Sequence, residues 1–335
     1  KEKFSLFQNY GRVDEAGVYG KLVIKICKKC GYKMQNPRYE NAFYEKYYQE
    51  MYREVAFGSL KPSKQYISQQ KKRGKGVLKF IEKNGIKPGL MLDHGCASGA
   101  TMLSWIQRGW KVSGIDPHRP SVQIGNSMGL DIKIASGEKL PNFKNKFNLI
   151  MSLGSLEHSY DLGKTLKECR RVLLNEGYLL IRWRSNKIFG SPLEYYNHNH
   201  YRFFTPNTWK LCLIKYGFSI INTTDDNLEG WPNYSYILAK KIAKIIKRNQ
   251  DLLFTLGIKD DYTKEIDNLL YLRKAYFQRC KKFLNYIKKN KNFSAKKIIK
   301  NIKNNKEDFI WNFLGGESHE VLDRSMMEAK KYISE

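Results

Sequence analysis

Two acidic residues at the ends of predicted strands are the clearest chemical feature of this chain. Asp93 ends one apolar run, and Asp116 ends the next one 23 residues later. Between them, Gly95 and Gly99 allow a turn in which the backbone approaches a ligand closely and adopts dihedral angles that a Cβ disfavours. An acid at the end of the second strand can accept hydrogen bonds from two ribose hydroxyls. The spacing therefore predicts a site for a nucleoside-containing cofactor.

The turn differs from the dinucleotide-binding fingerprint, which places three glycines as G-x-G-x-x-G against a pyrophosphate. Here the turn is Gly95-Cys-Ala-Ser-Gly99, and an acid stands two residues before its first glycine. It resembles motif I of the class I S-adenosylmethionine (SAM) dependent methyltransferases, usually written Leu-Asp-x-Gly-Cys-Gly-x-Gly, with Ala97 in place of the middle glycine. Because alanine carries a Cβ, we expect Ala97 to stay out of the left-handed backbone region.

The resemblance extends over about 150 residues, and its segments follow in the order typical of the family. It implies an α/β fold with a Rossmann-like seven-stranded methyltransferase sheet. The segments are the loop 137–141, the strand and Leu-Glu-His ending 146–158, an amphipathic helix 162–174, a turn 175–177, a strand 177–183, the segments 201–206 and 216–220, and a last strand near 234–239. A helix over 74–84 is predicted to precede the first strand of this domain.

The cofactor that the resemblance implies is SAM, which leaves as S-adenosylhomocysteine. The residues expected to bind it lie in the motif I turn, after the second and third strands, and at the end of the fourth. They are Asp93, Gly95, Cys96, Ala97, Gly99, Asp116, Pro117, Gly137, Glu138, Ser152, Leu153 and Gly154.

Histidines after the fourth and fifth strands are the candidate general bases, because an unperturbed imidazole pKa near 6.5 suits that role. His200 resembles the family's histidine before Phe-Thr-Pro and ranks first as base or substrate contact, followed by His158. Either residue has a structural alternative, and His158 could equally shape the cofactor pocket or cap the next helix. We expect Tyr196, His198 and Arg202 to contact the substrate. His94 and His118 stand beside cofactor residues and are expected to line the turn.

The N-terminal segment contains Cys27-Lys-Lys-Cys30-Gly, which is half of a zinc knuckle. It is followed by an Asn-Pro-Arg segment and a tyrosine-rich stretch. These features resemble the N-terminal ribbon of some bacterial sugar and small-molecule methyltransferases, which carries two Cys-x-x-Cys pairs. The resemblance makes Cys27 and Cys30 candidate ligands of a structural zinc, or remnants of a ribbon that has lost its metal. Tyr44, Tyr48 and Tyr52 would share one helix face, either for core packing or to close over the cofactor.

Composition divides the 335 residues into three expected parts: a ribbon-like segment 1–70, a methyltransferase domain 71–242 and a basic helical region 243–335. No apolar run approaches the length of a membrane-spanning helix, and six scattered cysteines favour a reduced, cytoplasmic setting. The net charge is +28, and residues 240–306 carry 20 Lys and Arg against 5 Asp and Glu. Such charge attracts nucleic acid, anionic membrane or phosphate-bearing substrates, although a compositional bias towards lysine explains it equally well.

Three functions compete at this point. The first is a methyltransferase acting on a sugar-like small molecule, nucleotide-linked or lipid-linked, in surface-glycan or secondary-metabolite biosynthesis. The second is an RNA methyltransferase whose basic C-terminal region follows phosphates. The third is a non-catalytic scaffold that retains the fold of a SAM-binding protein. Ala97 and the incomplete ribbon favour this alternative.

Overall fold

A computed structural model describes residues 4–10, 21–27, 30–36, 38–52, 61–184, 200, 202–228 and 234–243. Tyr196 and His198 lie outside these ranges, as does the predicted helical region beyond residue 243. The division of the chain into three parts therefore stays a prediction.

Seven strands form one sheet in the order β10-β11-β8-β7-β4-β5-β6. The strands are parallel except β11, which runs antiparallel to both of its neighbours. Their bounds are β4 Leu90–His94, β5 Lys111–Asp116, β6 Ile132–Ile134, β7 Phe147–Leu153, β8 Leu173–Arg184, β10 Phe218–Thr224 and β11 Tyr234–Lys241. The predicted Rossmann-like methyltransferase sheet is confirmed. The chain leaves β4 towards β6 and returns at β7, so the strand order reverses beside β4, where open α/β sheets bind ligands.

Helices cover both faces of this sheet and bury an apolar layer on each. They are α2 Lys64–Lys83, α3 Leu103–Ile106, α4 Arg119–Ser127, a 3-10 turn Leu156–His158, α5 Leu162–Val172 and α6 Pro206–Lys215. On one face Val77 of α2 packs with Met91 and Trp105. On the other, Leu166 of α5 packs with Ile181 and Trp209. The long apolar strands are thus buried on both sides, as expected for parallel sheets.

Helix α2, which precedes β4, begins ten residues earlier than predicted. It starts at Lys64, not Gly74, because the Ser63 hydroxyl accepts a hydrogen bond from the main-chain N–H of Tyr66 and caps the helix. The first ten residues are mostly polar, so the apolar periodicity did not reveal them. Gly74 instead allows close packing: a Cβ there would lie 2.2 Å from the carbonyl oxygen of Thr101.

The junction between α5 and β8 also differs from the prediction. The helix ends at Val172 and the strand begins at Leu173, whereas the sequence predicted a helix to residue 174 and a turn at 175–177. The Nζ of Lys241 donates to the carbonyl oxygens of Arg170 and Leu173, at 2.8 and 2.9 Å. These bonds satisfy carbonyl groups at the helix end. The predicted turn lies within the strand as an irregularity, since Glu176 has φ +65° and the register with β7 shifts between Leu173 and Tyr178.

A second sheet joins the N-terminal segment to the segment after His200. Its strands are β1 Phe4–Tyr10, β2 Lys21–Cys27, β3 Lys33–Gln35 and β9 Arg202–Phe203, in the order β1-β2-β3-β9. All three pairings are antiparallel. After β3 the chain forms α1, Asn41–Lys46, which widens into a π-helical turn over Tyr47–Met51.

Among the described residues, no helix combines the length and the apolar character needed to cross a bilayer.

Candidate functional site

The motif I turn follows β4 and has left-handed backbone at three positions. The φ angles are +75° at Gly95, +51° at Ala97 and +68° at Gly99. The expectation that Ala97 avoids the left-handed region is therefore wrong. The backbone at position 97 therefore has the left-handed conformation typical of glycine, although the residue is alanine.

A hydrogen bond to Asp116 explains how Ala97 holds this conformation. The main-chain N–H of Ala97 donates to Oδ2 of Asp116 over 2.7 Å, and the N–H of His118 donates to Oδ1 over 2.9 Å. One carboxylate therefore ties the turn after β4 to the turn after β5. Bonds from main-chain N–H groups to a charged oxygen are stronger than neutral ones, which offsets the backbone strain. Asp116 is half-buried, with Pro117 beside it.

Three other predicted cofactor residues of this turn lie below the surface. Asp93 is buried, and its Oδ2 accepts a 2.7 Å hydrogen bond from the Thr101 hydroxyl. Burial raises the pKa of the Cys96 thiol well above its usual range, with Asp93 and Asp116 adding to the effect, so the thiol stays protonated. At Gly99 a Cβ would lie 2.5 Å from Cε of Met102. These residues shape the turn from beneath.

Two serines connect the end of β7 to the motif I turn. The Ser155 hydroxyl donates to the carbonyl oxygen of His94 over 2.6 Å, and its oxygen lies 2.9 Å from Nδ1 of His94 and 2.7 Å from the Ser152 hydroxyl. Since the Ser155 proton goes to the carbonyl, its oxygen accepts from His94 and from Ser152. A Cβ at Gly95 would lie 2.3 Å from Cβ of Ser155, so this side chain needs a glycine beneath it.

His94 is a buried, neutral member of this network. Burial lowers its pKa to about 4. Its Nε2 has no hydrogen-bond partner among the described residues and faces Gly137, where a Cβ would lie 2.2 Å away. His94 thus lines the turn from within, and Gly137 is fixed by its contact with the imidazole.

The remaining predicted cofactor residues lie at the rim of the same sheet edge. The Oε1 of Glu138 accepts a 2.8 Å hydrogen bond from the N–H of Asp161, which ties the loop after β6 to the start of α5. The carbonyl oxygen of Leu153 accepts from Arg182 at 2.5 Å. Gly154 has φ +85°, and a Cβ there would lie 2.8 Å from Nη2 of Arg182. Glu138, Leu153 and Gly154 are all half-buried.

The two candidate bases lie together. The ring centroids of His158 and His200 are 4.6 Å apart. Burial lowers the pKa of His200 well below its usual value, and His158 and Arg184 lower it further. His158 is half-buried, and its Nδ1 lies 2.8 Å from the Tyr48 hydroxyl. The pairing with Tyr48 was not predicted, since the tyrosines carried only a general expectation of packing or closure.

Arg202, a predicted substrate contact, holds main chain in this structure. Its guanidinium donates to the carbonyl oxygens of Ser159 and Tyr160, the latter at 2.7 Å. Arg38 donates to the same Tyr160 carbonyl at 2.9 Å, and its guanidinium lies 3.9 Å from the centroid of the Tyr160 ring. The two arginines thereby fix the segment that follows His158.

Glu157 is a buried acid that sequence reasoning did not single out. It is 5% exposed, and its Oε2 has no hydrogen-bond partner among the described residues. Burial raises its pKa to about 7, although a main-chain hydrogen bond and the charges of Arg182 and Arg184 act in the opposite direction. Its place inside the Leu-Glu-His segment, next to a candidate base, was the available signal.

The zinc hypothesis finds too few ligands in the described part of the chain. Cys27 ends β2 and Cys30 lies in the following turn, where the N–H of Gly31 donates to the Cys27 carbonyl over 2.9 Å. A structural zinc needs four ligands. Within the described ranges, no group of three or more His, Cys, Asp or Glu side chains is arranged to hold a metal ion. Two thiolates alone do not fit the metal.

Comparison with known proteins places this geometry in context. The sequence profile of a family described as "Methyltransferase domain" matches residues 92–181, which run from β4 into β8. The matched residues include the motif I turn, Asp116 and the Leu-Glu-His segment.

Two curated relatives are similar in sequence to part of this chain. The chain is 30% identical over 97 residues to a ubiquinone biosynthesis O-methyltransferase of Pelagibacter ubique, and the match covers 27% of this chain and 40% of the relative. It is 35% identical over 115 residues to a tRNA U34 carboxymethyltransferase of Campylobacter fetus, and the match covers 30% of this chain and 41% of the relative. The chain thus spans about two fifths of the length of either relative.

A solved structure of a SAM-dependent methyltransferase from Clostridium acetobutylicum is also similar. It shares 15% sequence identity with a TM-score of 0.44, and the match covers 58% of this chain and 97% of that chain.

Proposed function

We propose that this protein is a SAM-dependent methyltransferase that acts on a small-molecule acceptor, with a nucleotide-linked or lipid-linked sugar as the preferred class. One observation carries the proposal. The turn bound by Asp116 and the pair His158–His200 follow strands whose carboxyl ends share one edge of the sheet. This edge is where an open α/β sheet binds its ligands.

The residues at this edge fit the proposed cofactor. Asp116 is half-buried, and a carboxylate has about four lone-pair sites, of which the N–H groups of Ala97 and His118 engage two. It is therefore the proposed acceptor for the ribose hydroxyls. Gly95, Ala97, Leu153 and Gly154 are half-buried, so this part of the edge is partly accessible to a ligand. The chemistry that SAM supplies when bound is a methyl group on a positively charged sulfur.

The acceptor's proton needs a base at the same edge, and we assign that role to His158. Burial and neighbouring charge lower the pKa of His200, so its imidazole is a weak proton acceptor and stays neutral. His158 and His200 are both half-buried, and the neutral ring of His200 adds no positive charge beside His158. For a hydroxyl acceptor, the proton moves from oxygen to a ring nitrogen of His158, and positioning of the two supplies much of the rate.

The preference for a sugar-like acceptor rests on the N-terminal segment. Its Cys-x-x-Cys turn and tyrosine-rich stretch resemble the ribbon of sugar methyltransferases, and in the structure this segment contacts the turn that carries His158. Polar acceptors bearing phosphate also suit a chain whose net charge is +28.

The cofactor is tested first. We expect isothermal titration of the purified protein to give micromolar binding of SAM and of S-adenosylhomocysteine, and we expect Asp116→Ala to lose it. If the wild-type protein is folded and binds neither compound, the methyltransferase proposal is refuted and a non-catalytic scaffold is supported.

The acceptor is tested next with SAM labelled in its methyl group. A panel of nucleotide sugars and a bulk tRNA fraction are incubated with the protein, and incorporated label is counted. Label in a sugar supports the proposal. Label in tRNA supports the second candidate, an RNA methyltransferase, which the Campylobacter fetus relative and the net charge favour. In that case affinity for tRNA should also fall steeply with salt.

A further inference from the structure

The segment from Arg38 to Tyr52 meets the turn that carries His158 at three points. The Tyr48 hydroxyl lies 2.8 Å from Nδ1 of His158. The rings of Tyr44 and Tyr160 lie 6.1 Å apart, and Arg38 donates to the Tyr160 carbonyl. The N-terminal segment therefore contributes a polar atom directly to the candidate base.

Local structure holds Tyr48 at this point. A π-helical turn spans Tyr47–Met51, a rare conformation that is frequent near functional sites. The buried ring of Tyr47 packs edge-on against Tyr48, with 5.0 Å between centroids, and the ring of Tyr52 lies 5.4 Å away on another side. The phenol ring thus has neighbours that restrict its direction, and its hydroxyl reaches His158.

We propose that Tyr48 is a positioning residue for His158: its phenol oxygen accepts a hydrogen bond from Nδ1–H and fixes the tautomer in which Nε2 carries the lone pair. This inference rests on the proposed function, since it assigns how the proposed base is prepared. In neutral imidazole one nitrogen donates and the other accepts, so the partner of Nδ1 decides which nitrogen can take a proton.

The opposite arrangement would remove this role. If the Tyr48 hydroxyl donated its proton to Nδ1, then Nε2 would carry the other hydrogen and could not act as the base. Among the described residues, those near His158 include Tyr48, the neutral ring of His200, Arg184 near His200, and Glu157 on the same turn. A phenol oxygen that accepts from Nδ1–H also stabilises the imidazolium formed during the reaction, because it keeps a hydrogen-bond acceptor at the charged ring.

The direct test is nitrogen-15 NMR of histidine-labelled protein across pH, without ligand. The His158 signals are identified by their absence in His158→Gln. We expect the wild-type spectra at high pH to show Nδ1 protonated and Nε2 unprotonated. In Tyr48→Phe both tautomers should be populated and the pKa of His158 should fall.

Tyr52→Phe is the matched control, because it removes a neighbouring phenol oxygen and keeps the ring. It should leave the His158 signals unchanged. A wild-type His158 protonated at Nε2, or a Tyr48→Phe spectrum identical to wild type, would overturn the proposal.

Activity provides the second readout, using the sugar acceptor that incorporates most label. Loss of a group that orients another usually costs about 10-fold to 100-fold, so kcat should fall by that range in Tyr48→Phe while KM changes little. The acid limb of the pH profile should move to lower pH. An unchanged kcat and profile would refute the positioning role even if the tautomer is as expected. If no acceptor is methylated, the proposed function fails, and the NMR measurement alone decides whether Tyr48 fixes His158.

Discussion

The main-chain N–H of Ala97 lies 2.7 Å from Oδ2 of Asp116, and this bond joins a strained residue to the acid that we assign to the cofactor. A left-handed conformation costs a residue with a Cβ about 1–2 kcal/mol. The bond offsets that cost, so the shape of the turn and the placement of the acid depend on each other.

Asp116→Asn should weaken both folding and cofactor binding. The amide keeps the shape of the side chain but can accept hydrogen bonds through one oxygen only, so one of the two N–H donors loses its partner. We expect the free energy of unfolding to fall by about 1–3 kcal/mol. The Kd for SAM should rise at least about tenfold, which corresponds to about 1.4 kcal/mol. Urea denaturation and calorimetry measure the two effects.

Asp131→Asn is the matched control for that substitution. Asp131 is exposed and accepts a 2.8 Å hydrogen bond from the Ser113 hydroxyl, away from the turn. It should change stability by no more than about 0.5–1 kcal/mol and leave SAM affinity alone. Equal losses in both variants would show that Asp116 has no special role.

Ala97→Gly should stabilise the protein. Glycine adopts φ near +51° without the Cβ penalty, but it also makes the unfolded chain more flexible. The net gain should be up to about 1 kcal/mol in urea denaturation. Gly99→Ala should have the opposite sign, because it adds strain at φ +68° and a Cβ 2.5 Å from Met102. A clear loss of stability in Ala97→Gly would mean that the methyl group makes contacts that outweigh the strain.

Ser155→Ala should destabilise the fold by about 1–3 kcal/mol, because its hydroxyl serves three buried or half-buried groups. The imidazole of His94 would lose the partner of Nδ1 while its Nε2 already lacks one among the described residues. Ser127→Ala, at an exposed serine that bonds the Ile124 carbonyl, is the control and should be close to neutral. Thermal or urea unfolding of both variants decides the point.

Glu157→Gln should raise stability at high pH and change it little at low pH. The pKa of Glu157 is raised to about 7 in the folded protein, above its ordinary value of 4.5. Between these values the folded state binds more protons than the unfolded state, so this group lowers stability as pH rises from about 4.5 to 7. The difference between variant and wild type should approach about 3 kcal/mol at most, at about 1.4 kcal/mol for each pH unit. A difference that is the same at pH 4 and pH 8 would contradict the raised pKa.

Features set by short stretches of sequence were predictable. The ends of β4 and β5 follow from an apolar run closed by an acid, so the sequence alone predicts that Asp93 and Asp116 lie at one edge of the sheet. The order of the later segments indicates the seven-stranded sheet, which the structure confirms.

Features set by residues that are distant in sequence were not predictable. Tyr48 and His158 are 110 residues apart, and no periodicity relates them. Local preference predicts that an alanine avoids the left-handed region. Ala97 departs from this prediction because its hydrogen bond to Asp116, at the end of another strand, outweighs the strain. Similarly, nothing in Leu-Glu-His shows that the acid is buried, since the turn is covered by strands and loops remote in sequence.

The pairing of β3 with β9 has a mechanical consequence for the site. Lys33 pairs with Phe203 and Met34 pairs with Arg202, three and two residues after the candidate His200. The same N-terminal segment reaches His158 through Tyr48. The N-terminal segment therefore contacts the turn that carries His158 and pairs with the strand that follows His200. One segment from the start of the chain thus bridges the connections that leave two neighbouring strands of the large sheet, β7 and β8.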